Sequence, residues 1–150
     1  MKKYGYPGKA LVGDTLNTAV WYVIQHSELP IIEKYFPLIE QANKKGEVQT
    51  RHVAMMKDRM LMYQGKEQIY GTQGAGRLII DPETHKEEWI NFIWPIKNPE
   101  KVNELRRSVG IQMPVEEYAK SMEIDYSKKY TIEEIEKLKK KLDLPSIKTF

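Results

Sequence analysis

The sequence predicts an α+β fold, mainly helical, with one small antiparallel β-meander over about residues 67–94. Three observations carry that expectation. Apolar residues recur at helical spacing up to Tyr63 and again after Asn98. From Lys66 to Trp94 the period falls from 3.6 to 2, as in strands. Glycines stand where the helical stripes end, at Gly46, Gly65 and Gly110.

Taken in order, Asp14 is a suitable N-cap for a first helix reaching His26, with Leu16, Ala19, Val20, Val23 and Ile24 on one face. Ser27 to Pro30 reads as a turn into a second helix carrying Ile31, Ile32, Tyr35, Leu38 and Ile39. Pro37 predicts a kink or break within it. A third helix is expected over 51–64, with Val53, Met56, Met60 and Tyr63 facing inward and its methionines filling the core. The meander follows: a strand over 68–73, a turn at Gly74-Ala75-Gly76, a strand over 77–80, a turn at 81–84, and a strand over 88–94. Such a sheet is too small to stand alone and must pack on the helices. Asn98-Pro99-Glu100 starts a helix that Gly110 ends, and Pro114 opens a short one through Tyr118. Thr131-Ile132-Glu133-Glu134 is a capping box before a helix that stops short of Pro145 and carries lysines at its end.

The 150 residues suit a single domain with one substantial core, in which 121–150 reads as a C-terminal helical extension. Charged residues are 30% and the net charge is +3, a surplus not gathered into a stripe, so nucleic acid is not an expected partner. No apolar run reaches the length of about 18 residues that a membrane span requires. No apolar stretch of signal-peptide type follows the basic start, so the expected location is cytoplasmic. Without cysteine there is no thiolate ligand, disulfide or thiol nucleophile. His26, His52 and His85 lack metal-ligand spacing, and Gly74-Ala75-Gly76 lacks the lysine and helix of a phosphate loop. No metal or cofactor is therefore expected, and His52 and His85 read as surface residues.

A polar set remains that core formation does not require. Gln25-His26 ends the first helix, where the dipole favours a charged imidazole; His26 is either a general acid or base or a cap on the helix carbonyls. Asp58 and Arg59 leave the third helix about 100° apart, so at least one lies at the edge of the buried stripe. They serve a site or a salt bridge to another helix. Gln68, Tyr70, Thr72 and Gln73 offer donors and acceptors on both faces of the expected strand, as a ligand site or as a polar edge. Gly71 within it suggests a bulge or a close approach. Arg106 and Arg107 suit an anionic group, or Asp58 itself.

Together with Gly5-Tyr6-Pro7, Gly13, Pro95-Ile96, Asn103, Gly110 and Tyr118, these residues resemble a bacterial family of unknown function. Its pattern runs roughly Gly-x-Pro, Gln-His, Asp-Arg, Gln-x-Tyr-Gly-Thr-Gln, then Arg-Arg and a closing Tyr. The resemblance covers about residues 4–118 and carries no activity with it.

Two functions fit the inventory. One is a small metal-independent enzyme of hydrolase or transferase type, acting on a polar or anionic small molecule, its pocket between the first and third helices and the sheet. His26 is then the general acid or base, Asp58 orients it or holds Arg59, and Tyr70 joins the chemistry. Gln25, Arg59, Gln68, Thr72, Gln73, Arg106 and Arg107 bind substrate. The other is a non-catalytic module for a ligand or protein, with Trp21, Trp89 or Trp94 as apolar anchors, in which the polar set is recognition or a structural network.

Overall fold

The computed structural model describes residues 5–80, 84–142 and 148–149. It is α+β and mainly helical: α1 (Lys9–Gln25), α2 (Leu29–Lys44) and α3 (Thr50–Tyr63), then β1 (Gly74–Ile80) and β2 (Glu87–Ile93), then α4 (Val102–Ser108), α5 (Val115–Ser121), α6 (Ile132–Leu142) and a two-residue β3 (Lys148–Thr149). β1 and β2 form an antiparallel hairpin running from Gly74 opposite Ile93 to Ile80 opposite Glu87. β3 pairs antiparallel with the other edge of β1, giving the order β2-β1-β3.

Helix-period stripes put the first three helices together. Trp21 and Ile24 of α1, Ile32, Phe36 and Ile39 of α2, and Met56 and Met60 of α3 share one buried cluster. Full burial of side chains this size is worth roughly 1.5–3 kcal/mol each. A second cluster joins the hairpin to α6 through Ala75, Phe92, Trp94 and Ile135. A third joins Ile93 to α4 and α5 through Val102, Val115 and Ala119. The capping box forms: the amide of Thr131 donates to Glu134 Oε2 at 2.7 Å, and the amide of Glu134 donates to Thr131 Oγ1 at 3.2 Å.

Four local expectations change. α1 starts at Lys9, five residues before Asp14, with Gly13 at φ 78° and ψ 168° interrupting its helical geometry. α2 continues through Pro37, which sits exposed on the solvent side, where the lost backbone donor leaves no buried gap. Residues 68–73 are a loop and not a strand, attached by one isolated parallel bridge between Gln68 and Ile96. Gly74, Ala75 and Gly76 then lie inside β1 and make no turn: a Cβ on Gly76 would collide with the Trp89 ring from β2, so the glycine lets the strands close. The expected turn at 81–84 lies outside the described residues except for Thr84, as do the first four residues and the stop at Pro145.

Candidate functional site

The loop 68–73 is a small knot of hydrogen bonds, and the side chains that tie it are those the sequence singles out. Asp58 comes from the buried face of α3, between Ala54 and Met62, and is completely buried. Its Oδ1 accepts the amides of Ile69 at 2.8 Å and Tyr70 at 3.1 Å. Its Oδ2 accepts the amide of Tyr70 at 3.1 Å, the amide of Thr72 at 3.1 Å and the Thr72 hydroxyl at 2.9 Å. Every one of these contacts is a donor, so the ionised carboxylate satisfies them all. Burial pushes the Asp58 pKa up, and the hydrogen bonds from Ile69, Tyr70 and Thr72 work against that push.

Gln68 closes the loop from within. Its Nε2 donates to the carbonyls of Gln73 at 3.0 Å and Trp94 at 2.7 Å, and its Oε1 accepts the Gln73 amide at 2.9 Å. Gln73 Nε2 reaches Thr72 Oγ1 at 3.0 Å and the Met55 carbonyl at 3.4 Å. Gly71 takes φ +63°, and a Cβ there would crowd Ile96, Val115 and Val102.

Arg106 of α4 grips the same loop from the other side. Its Nη1 donates to the carbonyls of Tyr70 at 2.9 Å and Gly71 at 3.1 Å, and its Nε donates to the Met113 carbonyl at 2.7 Å. Its guanidinium lies 5.2 Å from the centre of the Tyr118 ring, and the Tyr118 hydroxyl donates to the Thr72 carbonyl at 2.8 Å.

The remaining expected residues are placed differently. His26 caps α1 and is exposed, its ring 4.3 Å from that of Tyr22. Partial burial and the Arg59 charge hold its pKa below the usual histidine value. Arg59 is buried on α3 and also acts electrostatically on Tyr118. Tyr70 is half-buried, and burial followed by the Asp58 charge raises its pKa. Gln25 is buried at the end of α1, its Oε1 without a hydrogen-bond partner among the described residues. Arg107 is exposed. Asp58, Gln68, Thr72, Gln73 and Arg106 thus converge on one loop, with the backbone of Tyr70. His26 stands apart from those hydrogen bonds.

Beside this loop lies a cleft of about 550 Å³. Arg51, His52 and Met55 of α3 form one wall. Tyr118 and Ser121 of α5 and the 110–113 link form the other, while Thr72 and Arg106 bring the loop network to its surface. His52 is half-buried here, its ring stacked on Trp21 at 4.2 Å and 18°. Burial, then Arg51 and Lys9, hold its pKa below the usual value. The sequence reading leaves His52 on the surface because nothing local marks it; its partner Trp21 lies 31 positions earlier. A second depression, of about 680 Å³, carries Lys57, Lys66 and Lys97 and none of the candidate site residues.

The model of a family described as a family of unknown function, DUF6624, matches residues 1–131. The chain belongs to that family. No curated protein and no solved structure matches the chain. The DUF6624 match ends one residue before α6 begins, yet Ile135 of that helix is fully buried against the hairpin. No helix among the described residues is long and apolar enough to cross a membrane.

Proposed function

We propose that this DUF6624 chain is a small-molecule-binding module whose site is the cleft between α3 and the α4–α5 region. In this reading the polar motifs are scaffold. The observation that carries it is the commitment of these side chains to the loop network: Asp58, Gln68 and Arg106 bond loop backbone groups, and the Thr72 hydroxyl bonds Asp58. A network so closed is poorly placed to reach substrate, but it fixes Thr72 and Arg106 in the wall of an adjoining cavity of ligand size. The test is an amide NMR titration of the full chain with pooled carboxylated and phosphorylated metabolites. Shifts at Thr72, Ile111, Gln112 and Ser121 are expected, unchanged in His26→Ala. If ligands move amides only around His26, or nowhere, the reading is wrong.

A second reading keeps His26 as general acid or base of a hydrolase or transferase. It is supported by an exposed imidazole, favoured in its neutral form beside the Arg59 charge. Asp58 is not available as its orienting partner, because both carboxylate oxygens take loop donors. Under this reading His26→Ala abolishes turnover of a substrate that the protein still binds. Unchanged turnover would sink it.

A further inference from the structure

The two walls of the cleft differ in chemistry, and that difference bears on what enters. Resting on the binding reading above, we propose that the ligand is an amphipathic carboxylic acid: one carboxylate recognised by Arg51 and Arg106, on an apolar body held between Met55 and Met113.

Charge sets the head group. Arg51 stands exposed at the cleft, Arg106 lines it, and none of the lining residues carries a carboxylate. An anion entering there meets two cations in the lining, while the Asp58 carboxylate lies behind Thr72 with its charge met by loop donors.

The donor inventory favours carboxylate over phosphate. Phosphate sites characteristically present free backbone amides, often at a glycine-rich turn or a helix start. Here three such amides in the lining are engaged. Thr72 N–H donates to Asp58, Gly110 N–H to the Arg107 carbonyl at 3.1 Å, and Ile111 N–H to the Arg106 carbonyl at 2.9 Å. Arg106 itself has Nε and Nη1 on carbonyls, which leaves Nη2 as its uncommitted nitrogen among the described residues. One guanidinium nitrogen and one rim arginine match the two oxygens of a carboxylate better than the three of a phosphate monoester.

The apolar side sets the body. Met55 is half-buried, Met113 is 45% exposed, and Ile111 lines the same cleft. Methionine is unbranched and polarizable, so a pair of them accommodates aliphatic or aromatic groups of varied outline. An exposed large apolar side chain beside cations suits a ligand with both features.

The experiment labels the methionine methyls with ¹³C in the full chain and titrates 3-phenylpropionate, its neutral amide 3-phenylpropanamide, and inorganic phosphate. The chain has seven methionines, so those outside the cleft report non-specific effects. Met55→Leu and Met113→Leu assign the signals. The proposal expects saturable shifts at Met55 and Met113 with the acid, which binds at least tenfold more tightly than the amide. Arg51→Gln, at an exposed position that folding does not need, weakens the acid at least fivefold and leaves the amide unchanged. Equal binding of acid and amide overturns carboxylate recognition. Phosphate shifting the cleft while the acid does not overturns the ligand class but leaves the binding reading standing. Silence of the cleft toward these probes and toward the metabolite pool overturns both.

Discussion

Asp58 and Arg106 hold the same turn by opposite poles: the carboxylate accepts the amides of Ile69, Tyr70 and Thr72, while the guanidinium donates to the carbonyls of Tyr70 and Gly71. A salt bridge between the two would satisfy each ion once. Dividing them across the backbone satisfies the middle of a loop whose bonds to the 94–97 backbone are made at its ends, by Gln68 and Gln73, and buried backbone groups must find partners.

Asp58→Ala leaves three amides and a hydroxyl without their acceptor, in a place water does not reach. Removing one member of a buried charged network costs about 3–5 kcal/mol. For a domain of this size each kcal/mol lowers Tm by about 2–4 °C, so a fall on the order of 10 °C is expected by calorimetry. Asp58→Asn keeps one acceptor and turns an NH₂ toward the donors, so it falls between the variant and wild type. If Asp58 only served catalysis, both substitutions would leave Tm unchanged or raise it.

Gly71 and Gly65 offer a matched pair. Both have positive φ, 63° and 70°, but a Cβ at Gly71 meets Ile96 and Val115 at 2.9 and 3.0 Å while one at Gly65 meets nothing. Gly65→Ala bears only the left-handed backbone penalty of about 1–2 kcal/mol. Gly71→Ala adds overpacking of about 1–3 kcal/mol. Urea unfolding curves should rank the two variants in that order, with Gly71→Ala the less stable. Equal midpoints would mean that the loop relaxes away from α4 and α5.

The difference between what the sequence reveals and what it hides is physical. α3 and its stop at Gly65 are legible because an apolar stripe of period 3.6 followed by a left-handed glycine has few other uses. The loop 68–73 imitates a strand because alternating polar and apolar residues also suit a chain that ties side chains back to its own backbone. Four hydrogen-bonding side chains in six residues were the signal that a ladder was not the partner. The three glycine-rich positions after it imitate a turn, yet Gly76 is needed to accommodate Trp89, a cross-strand fact with no local trace. The cleft is hidden for the same reason: Arg51, Thr72, Arg106 and Tyr118 meet only when α3, α4 and α5 pack.

Tyr6 ties the segment before α1 to that helix, its hydroxyl donating to the Asn17 carbonyl at 2.9 Å. Burial pushes its pKa up to about 12. The folded value lies above the unfolded one, so its contribution to stability is complete below about pH 10 and is lost as pH rises toward 12. Tyr6 is only half-buried, and solvent screens the effect to about 1 kcal/mol or less. Absorbance at 295 nm should show a late-ionising tyrosine that Tyr6→Phe removes. The same late step in Tyr6→Phe would assign it to Tyr70, Tyr118 or Tyr126, whose values burial also raises.

His52 links stability to pH on the acid side. Its ring stacks on Trp21, and burial together with Arg51 and Lys9 lowers its pKa. The folded value is below the unfolded one of ~6.5, so the stabilising term is complete above that pH. As pH falls the unfolded chain takes the proton first, and stability declines until the folded imidazole also titrates. Chemical denaturation at intervals between pH 7 and pH 5 should show wild type losing stability, and His52→Gln losing less. His26 contributes in the same direction, so the slope is expected to shrink further in the double substitution His26→Gln with His52→Gln. A bound carboxylate beside Arg51 would ease protonation of His52, so saturating ligand should flatten the wild-type slope. A slope that ligand leaves untouched would place the anion away from His52, and with it the head group of the ligand at the other end of the cleft.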